Sequence, residues 1–151
     1  MTMGNYELQA KLFAALSHPV RLRILDMLAD SEACVCHFSA LLQLRQAYVS
    51  QQLATLKQAG LITDKKDGLY VYYCLTDATI GELLREAREI LAHLTGDDSL
   101  LHAGPPARAG SDCPCPRCQA VSKQQAVGSQ PSSKTPHARR NATALNAAQT
   151  D

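Results

Sequence analysis

The chain has 151 residues, 46% of them hydrophobic and 19% charged, with a formal net charge of +1; that size fits one domain with a tail. No apolar run approaches the roughly 18 residues of a membrane span, and the opening MTMGNYELQA lacks the basic and apolar regions of a secretion signal, so a cytoplasmic protein without membrane contact is expected. There are 9 Lys and Arg against 10 Asp and Glu before Gly96 and 6 against 4 from there on, which excludes a polycation; nucleic-acid binding would have to rest on local placement of charge.

Tyr6 to Leu16 is helical by pattern, with Leu8, Leu12 and Leu16 in line and Phe13 beside them. Ser17-His18-Pro19 breaks it, and a proline suits the first position of a new helix. Pro19 to Ala29 follows, with Val20, Ile24 and Leu28 on one stripe and Leu25 adjacent. Arg21 and Arg23 lie off that stripe, either to touch phosphates or only to solubilise. Asp30 to Cys36 interrupts the periodicity, and His37 to Leu42 resumes it.

Ser39 to Leu61, SALLQLRQAYVSQQLATLKQAGL, reads as a short helix, a tight connection over 43–45 and a longer amphipathic helix from Gln46 to Ala59. Val49, Leu53 and Leu56 recur at helical spacing and define its buried face. The opposite face carries Gln46, Tyr48, Ser50, Gln51, Gln52 and Lys57. Amides and hydroxyls at the start of the second helix of such a pair can hydrogen-bond base edges in a major groove; a solvated helical hairpin has the same pattern.

After Gly60, two β-prone runs, Leu61 to Lys66 and Leu69 to Leu75, flank Asp67-Gly68, a hairpin signal. Lys65 and Lys66 stand beside the tip, to meet DNA backbone or simply to be solvated. Cys74 reads as a small core residue. Asp77 to Leu94 is the last clear helix. Ile80, Ala87 and Leu94 are spaced by seven, as are Leu83 and Ile90, a seam suited to a partner helix. From Gly96 on, Gly, Pro, Ser, Ala and Gln dominate, and disorder is expected. The exception is CPCPRC at 113–118, which places Cys113, Cys115 and Cys118 within six residues. The chain thus divides into a domain over 5–95 and a flexible tail over 96–151. In a reducing compartment, clustered thiols are metal or redox sites before they are disulfides.

The segments SHPVRLRILDML, CVCHFSALLQLRQAYVSQQLATLKQAGLI and DGLYVYYCL resemble the ArsR/SmtB family of metal-responsive repressors, in its arsenic-type CVC subgroup, over roughly Tyr6 to Leu94. The resemblance implies a mainly α fold with a β-hairpin wing, a dimeric winged helix-turn-helix. It implies a homodimer, paired through terminal helices, that binds palindromic double-stranded operator DNA and is released when an ion binds. Two positions depart from the family: the turn position usually held by glycine is Gln43, and the position of the usual small N-cap of the recognition helix is Arg45, which could instead gain a phosphate contact.

Arsenic-responsive members carry the same CVC with a third cysteine three residues later, where this chain has Ser39. Arsenite and antimonite favour three soft thiolates; cadmium, lead and zinc commonly take four ligands. Cys34, Cys36 and His37 form a short local set, and Cys113, Cys115 and Cys118 are the donors available to complete it or to form a second site. Residues two apart on an α-helix point roughly 200° from each other, so Cys34 and Cys36 share an ion only if one leaves regular helix. A repressor released by such an ion, with no organic cofactor, is the leading expectation. A thiol-redox or persulfide-sensing repressor using the same cysteines with a tail cysteine is the alternative, and a metal buffer that does not bind DNA is the second. No Gly-rich phosphate loop or nucleophile–base set suggests an enzyme.

Overall fold

The computed structural model describes residues 4–102, 104 and 113–119. Five helices and a small sheet run in the order α1 (Gly4–Leu16), α2 (Pro19–Asp30), β1 (Ala33–Cys34), α3 (Val35–Leu42), α4 (Gln46–Gln58), β2 (Ile62–Asp67), β3 (Tyr70–Leu75) and α5 (Thr79–Thr95). The main core joins Ile24, Leu25 and Leu28 of α2, Phe38 and Leu42 of α3, and Val49, Leu53 and Leu56 of α4 to Leu61, Ile62 and Leu84. The stripes expected on α2 and α4 are therefore the buried faces. This is a winged helix-turn-helix: α3 and α4 form the helix pair, and β2 and β3 form the wing.

Local chemistry sets the boundaries. Pro19 occupies the first turn of α2, and the Nδ1 of His18 accepts the Val20 N–H as its cap. Asp77 performs the same service for α5 through the Thr79 N–H and hydroxyl. Between α3 and α4 the chain reverses at Gln43, which adopts a left-handed conformation with φ 55° while its N–H donates to the Ser39 carbonyl. Glycine is at ease there and glutamine is strained. Gln43→Gly is expected to stabilise the fold by about 0.5–1 kcal/mol, the relief of strain less the larger unfolded-state entropy of glycine. Urea denaturation at fixed protein concentration measures it.

Several expectations change. The interrupted stretch holds a two-residue strand: Ala33 and Cys34 pair antiparallel with Tyr73 and Tyr72, giving the sheet order β1–β3–β2. Helix α3 starts at Val35, so Cys36 and His37 belong to its first turn. The wing turns on Gly68-Leu69, not Asp67-Gly68, because Asp67 pairs with Tyr70 and the positive φ (61°) falls on the first loop residue, Gly68. Cys74 sits opposite Thr63 on the outer face of the sheet, whereas its neighbours Tyr73 and Leu75 face the core. Within the composition-biased tail, 98–102 form a 3₁₀ turn and 113–119 pack on the sheet; the rest of the expected disordered tail lies outside the described residues.

Among the described residues two apolar faces stay uncovered. Tyr6, Leu8 and Phe13 of α1 are more than half exposed, and so are Ile90 and Leu94 of the α5 seam, whereas Leu84 and Ala92 are buried. Arg85 of α5 pairs with Glu86 and Glu89 of the same helix, and Arg88 reaches Asp26 of α2 at 2.8 Å and ties the last helix to the core. Among the described residues no helix is long and apolar enough to cross a membrane.

Candidate metal centre and nucleic-acid interface

Cys34 ends β1 and is also the N-cap of α3, with an extended backbone (φ −93°, ψ 164°). That is the non-helical conformation the CVC spacing requires, and the two thiols converge to 2.8 Å. Cys113 closes a triangle with them, 2.8 Å from Cys36 and 3.5 Å from Cys34. A second set overlaps the first. The sulfurs of Cys34, Cys113, Cys115 and Cys118 all lie within 4.8 Å of one another, and Cys36 is outside this set. His37 is buried and its Nδ1 is 3.1 Å from the Cys118 sulfur. All six donors expected from the sequence are thus brought together, although 79 residues separate Cys34 from Cys113.

The cluster is a satellite core on the outer face of the sheet, where Cys34, Cys113 and Cys115 surround the buried ring of Tyr72. Burial pushes the thiols of Cys34 and Cys113 well up, and pushes Cys118 up to about 11. Burial acts on Cys115 in the same direction. There the Cys118 N–H and the thiols of Cys118, Cys34 and Cys113 outweigh it and hold Cys115 down at about 7. Cys115 is the ready thiolate of the group, a role the sequence did not mark.

The donor set fits a soft ion. A tetrahedral site with zinc–sulfur bonds of about 2.3 Å has sulfurs roughly 3.8 Å apart, inside the limit that the four thiols meet. Ion uptake must displace the protons of the buried thiols. With Cys115 near 7 and its three partners raised, the four-thiol set should release about three protons per ion above pH 7 and about four below. Affinity for cadmium should therefore rise with pH, the slope of its logarithm easing from about four to about three as pH climbs through 7. Proton release in an unbuffered titration checks the count.

On the other side of the helix pair, Arg45 caps α4 by position only, without a side-chain bond. Arg45, Gln46, Tyr48, Ser50 and Gln51 are exposed on one end of α4, and Lys65 and Lys66 are exposed on the wing. The remaining two are engaged inside the chain. Gln52 accepts from Arg21, whose guanidinium also donates to the Ala14 and Ala15 carbonyls, so Arg21 joins α1, α2 and α4 and does not project freely. Lys57 pairs with Asp64 of β2 at 2.6 Å and links the recognition helix to the wing. Tyr48 lies 3.3 Å from the His18 Nε2. The contacts of His18, Tyr72 and Arg117 beside these groups had no signal in the sequence, because their partners lie on elements remote in the chain.

An exposed polar helix end beside a wing that presents two lysines, with a core-packed helix before it, is the arrangement of a DNA-binding transcriptional regulator. Residues 18–64 match the bacterial regulatory proteins of the arsR family. The HTH-type transcriptional regulator Rv0081 of Mycobacterium tuberculosis is 37% identical over 93 residues, 61% of this chain and 82% of its own. Its crystal structure has a TM-score of 0.58 at 35% identity, with 62% of this chain and 95% of that one covered. The transcriptional repressor SmtB homolog of Synechocystis is 35% identical, with 60% and 69% covered. The homodimeric winged helix-turn-helix domain of Mb0332 from Mycobacterium bovis gives a TM-score of 0.57 at 25% identity, covering 63% and 89%. This chain belongs to the arsR family of transcriptional regulators.

Proposed function

We propose that this protein is a homodimeric repressor that leaves its operator when a thiophilic ion binds the thiol cluster, arsenite or antimonite first and cadmium, lead or zinc next. The observation that carries the reading is the position of Cys34: one residue ends β1 and pairs there with the wing strand β3, caps the first helix of the DNA-reading pair and shares the cluster with the tail thiols. An ion held there grips the two elements whose relative placement sets the fit to a groove. The residues 5–95 read and dimerise, and 96–151 supply the distal sulfurs. Arg45, Gln46, Tyr48, Ser50 and Gln51 approach the groove, Gln52 and Lys57 hold α4 in register, and Lys65 and Lys66 meet the backbone.

The uncovered apolar faces of α1 and α5 support dimerisation, and a two-fold dimer matches a palindromic site. The Mb0332 relative is homodimeric by its description, and the Synechocystis relative is a repressor; both support the reading. A coupling free energy of about 1–3 kcal/mol corresponds to roughly 5- to 150-fold weaker DNA binding in the loaded state. The test follows fluorescence anisotropy of purified dimer on DNA from upstream of its own gene, with arsenite, cadmium and zinc titrated in. Loss of affinity in that range is expected; binding indifferent to all three ions overturns the ion input, and no salt-dependent binding leaves the metal-buffer reading.

The 2.8 Å approaches of Cys36 to Cys34 and Cys113 also favour a redox reading. Two such thiols joined by peroxide would give a disulfide and two waters, the two electrons passing to the oxidant. Release by peroxide with a mass loss of two hydrogens, and none by arsenite, selects that reading.

A further inference from the structure

Thiol chemistry does not account for how the 113–119 segment seats on the wing. Along β3, Tyr70 and Tyr72 face outward while Tyr73 and Leu75 enter the main core. The segment lies over those two outward rings. The Tyr70 hydroxyl donates to the Pro114 carbonyl at 3.4 Å. Arg117 pairs with Glu32, the residue before β1, and its other amino nitrogen is 3.4 Å from Asp67 at the end of β2. Its guanidinium carbon stands 4.0 Å above the ring of Tyr72 in the central strand. One cation therefore reaches the residue leading into β1, the middle of β3 and the end of β2, across the sheet order β1–β3–β2.

We propose that Arg117 is the positioning residue that carries ion occupancy of the thiol cluster to the wing. The inference rests on the metal reading given above. Each contact of Arg117 is partly exposed and worth little alone, so the clamp by itself opposes the entropy of closing a long loop only weakly. An ion shared between Cys34 and the tail sulfurs fixes the segment, and the clamp then acts within a closed ring. It draws the Glu32 edge, Tyr72 and the Asp67 end together. Lys65, paired with Tyr72, and Lys66, paired with Val71, are carried with that end. The ion thus sets the orientation of the wing lysines without touching the hairpin tip.

The test uses the full-length protein with cadmium as the probe. Sulfur-to-cadmium charge-transfer absorption reads loading, and amide hydrogen exchange across 62–75 reads the wing. In the wild type, loading should slow exchange in the hairpin by about tenfold or more. Arg117→Ala should still load, with affinity lower by about the tenfold coupling that it removes, and should keep the ion-free exchange pattern, yet lose the ion-induced slowing. Arg117→Lys keeps the charge without the planar stack and should restore part of it. Should Arg117→Ala fold or load poorly, Glu32→Gln with Asp67→Asn cuts the same clamp from the other side and should lose the slowing too. Loading with undiminished slowing in these variants overturns the clamp. A wild type with no charge-transfer band removes the metal reading, and the clamp with it.

Discussion

Cys34→Ser should abolish the response to arsenite and to cadmium alike, with affinity for each ion falling at least about 100-fold. Loss of an outer-shell partner alone commonly costs 10- to 100-fold, and Cys34 is a prospective ligand. Cys34 belongs to both sulfur sets, the triangle with Cys36 and Cys113 and the four with Cys113, Cys115 and Cys118. Serine is a favoured N-cap residue, and position 34 is the N-cap of α3, which makes no side-chain cap bond as cysteine. The substitution therefore removes the soft donor while giving the helix a hydroxyl it can use. Melting temperature and ion-free DNA affinity should hold. Chelator competition reads the ion affinity, and an undiminished value would mean that Cys34 is only a core residue.

The separation of fold from response in that variant depends on how the two are encoded. The buried faces of α2 and α4 were legible because Ile24 with Leu28, and Val49 with Leu53 and Leu56, repeat at helical spacing and are buried. The wing was legible from its β-prone runs, though its turn moved by one residue because the pairing of Asp67 with Tyr70 leaves Gly68 first in the loop. Two-residue β1 had no pattern to announce it: its pairing partners, Tyr72 and Tyr73, lie nearly 40 residues on.

The thiol cluster was half legible for a related reason. CVC and CPCPRC each stand out by spacing, but spacing does not say which sulfurs meet, and it gave no reason to separate Cys36 from the four-thiol set. Nor did it reveal that Arg117, lying between tail cysteines, faces acids at positions 32 and 67. Side chains that act by bridging elements carry no local signature. Arg21 shows the same thing on the other side of the molecule, where it closes the α1 terminus onto Gln52.

The overlap of the two sulfur sets predicts that single substitutions will sort ions by coordination number. Cys36 sits 2.8 Å from both Cys34 and Cys113 and lies outside the four-thiol set; Cys115 and Cys118 lie inside it. A three-coordinate ion such as arsenite uses the triangle, and a four-coordinate ion such as cadmium uses the larger set. Cys36→Ser is then expected to weaken arsenite by about 100-fold and cadmium by less than about tenfold, with Cys115→Ser showing the reverse, on the scale that separates ligand from near-ligand substitutions. The two variants should also differ in proton release, since losing Cys115 removes the one thiol held near 7 and leaves three raised ones around cadmium. Sulfur neighbour counts from X-ray absorption supply the independent check: three around arsenic and four around cadmium in the wild type. Equal losses for both ions in both variants would mean a single site that takes all five thiols together, because only a shared coordination sphere makes every sulfur matter to every ion.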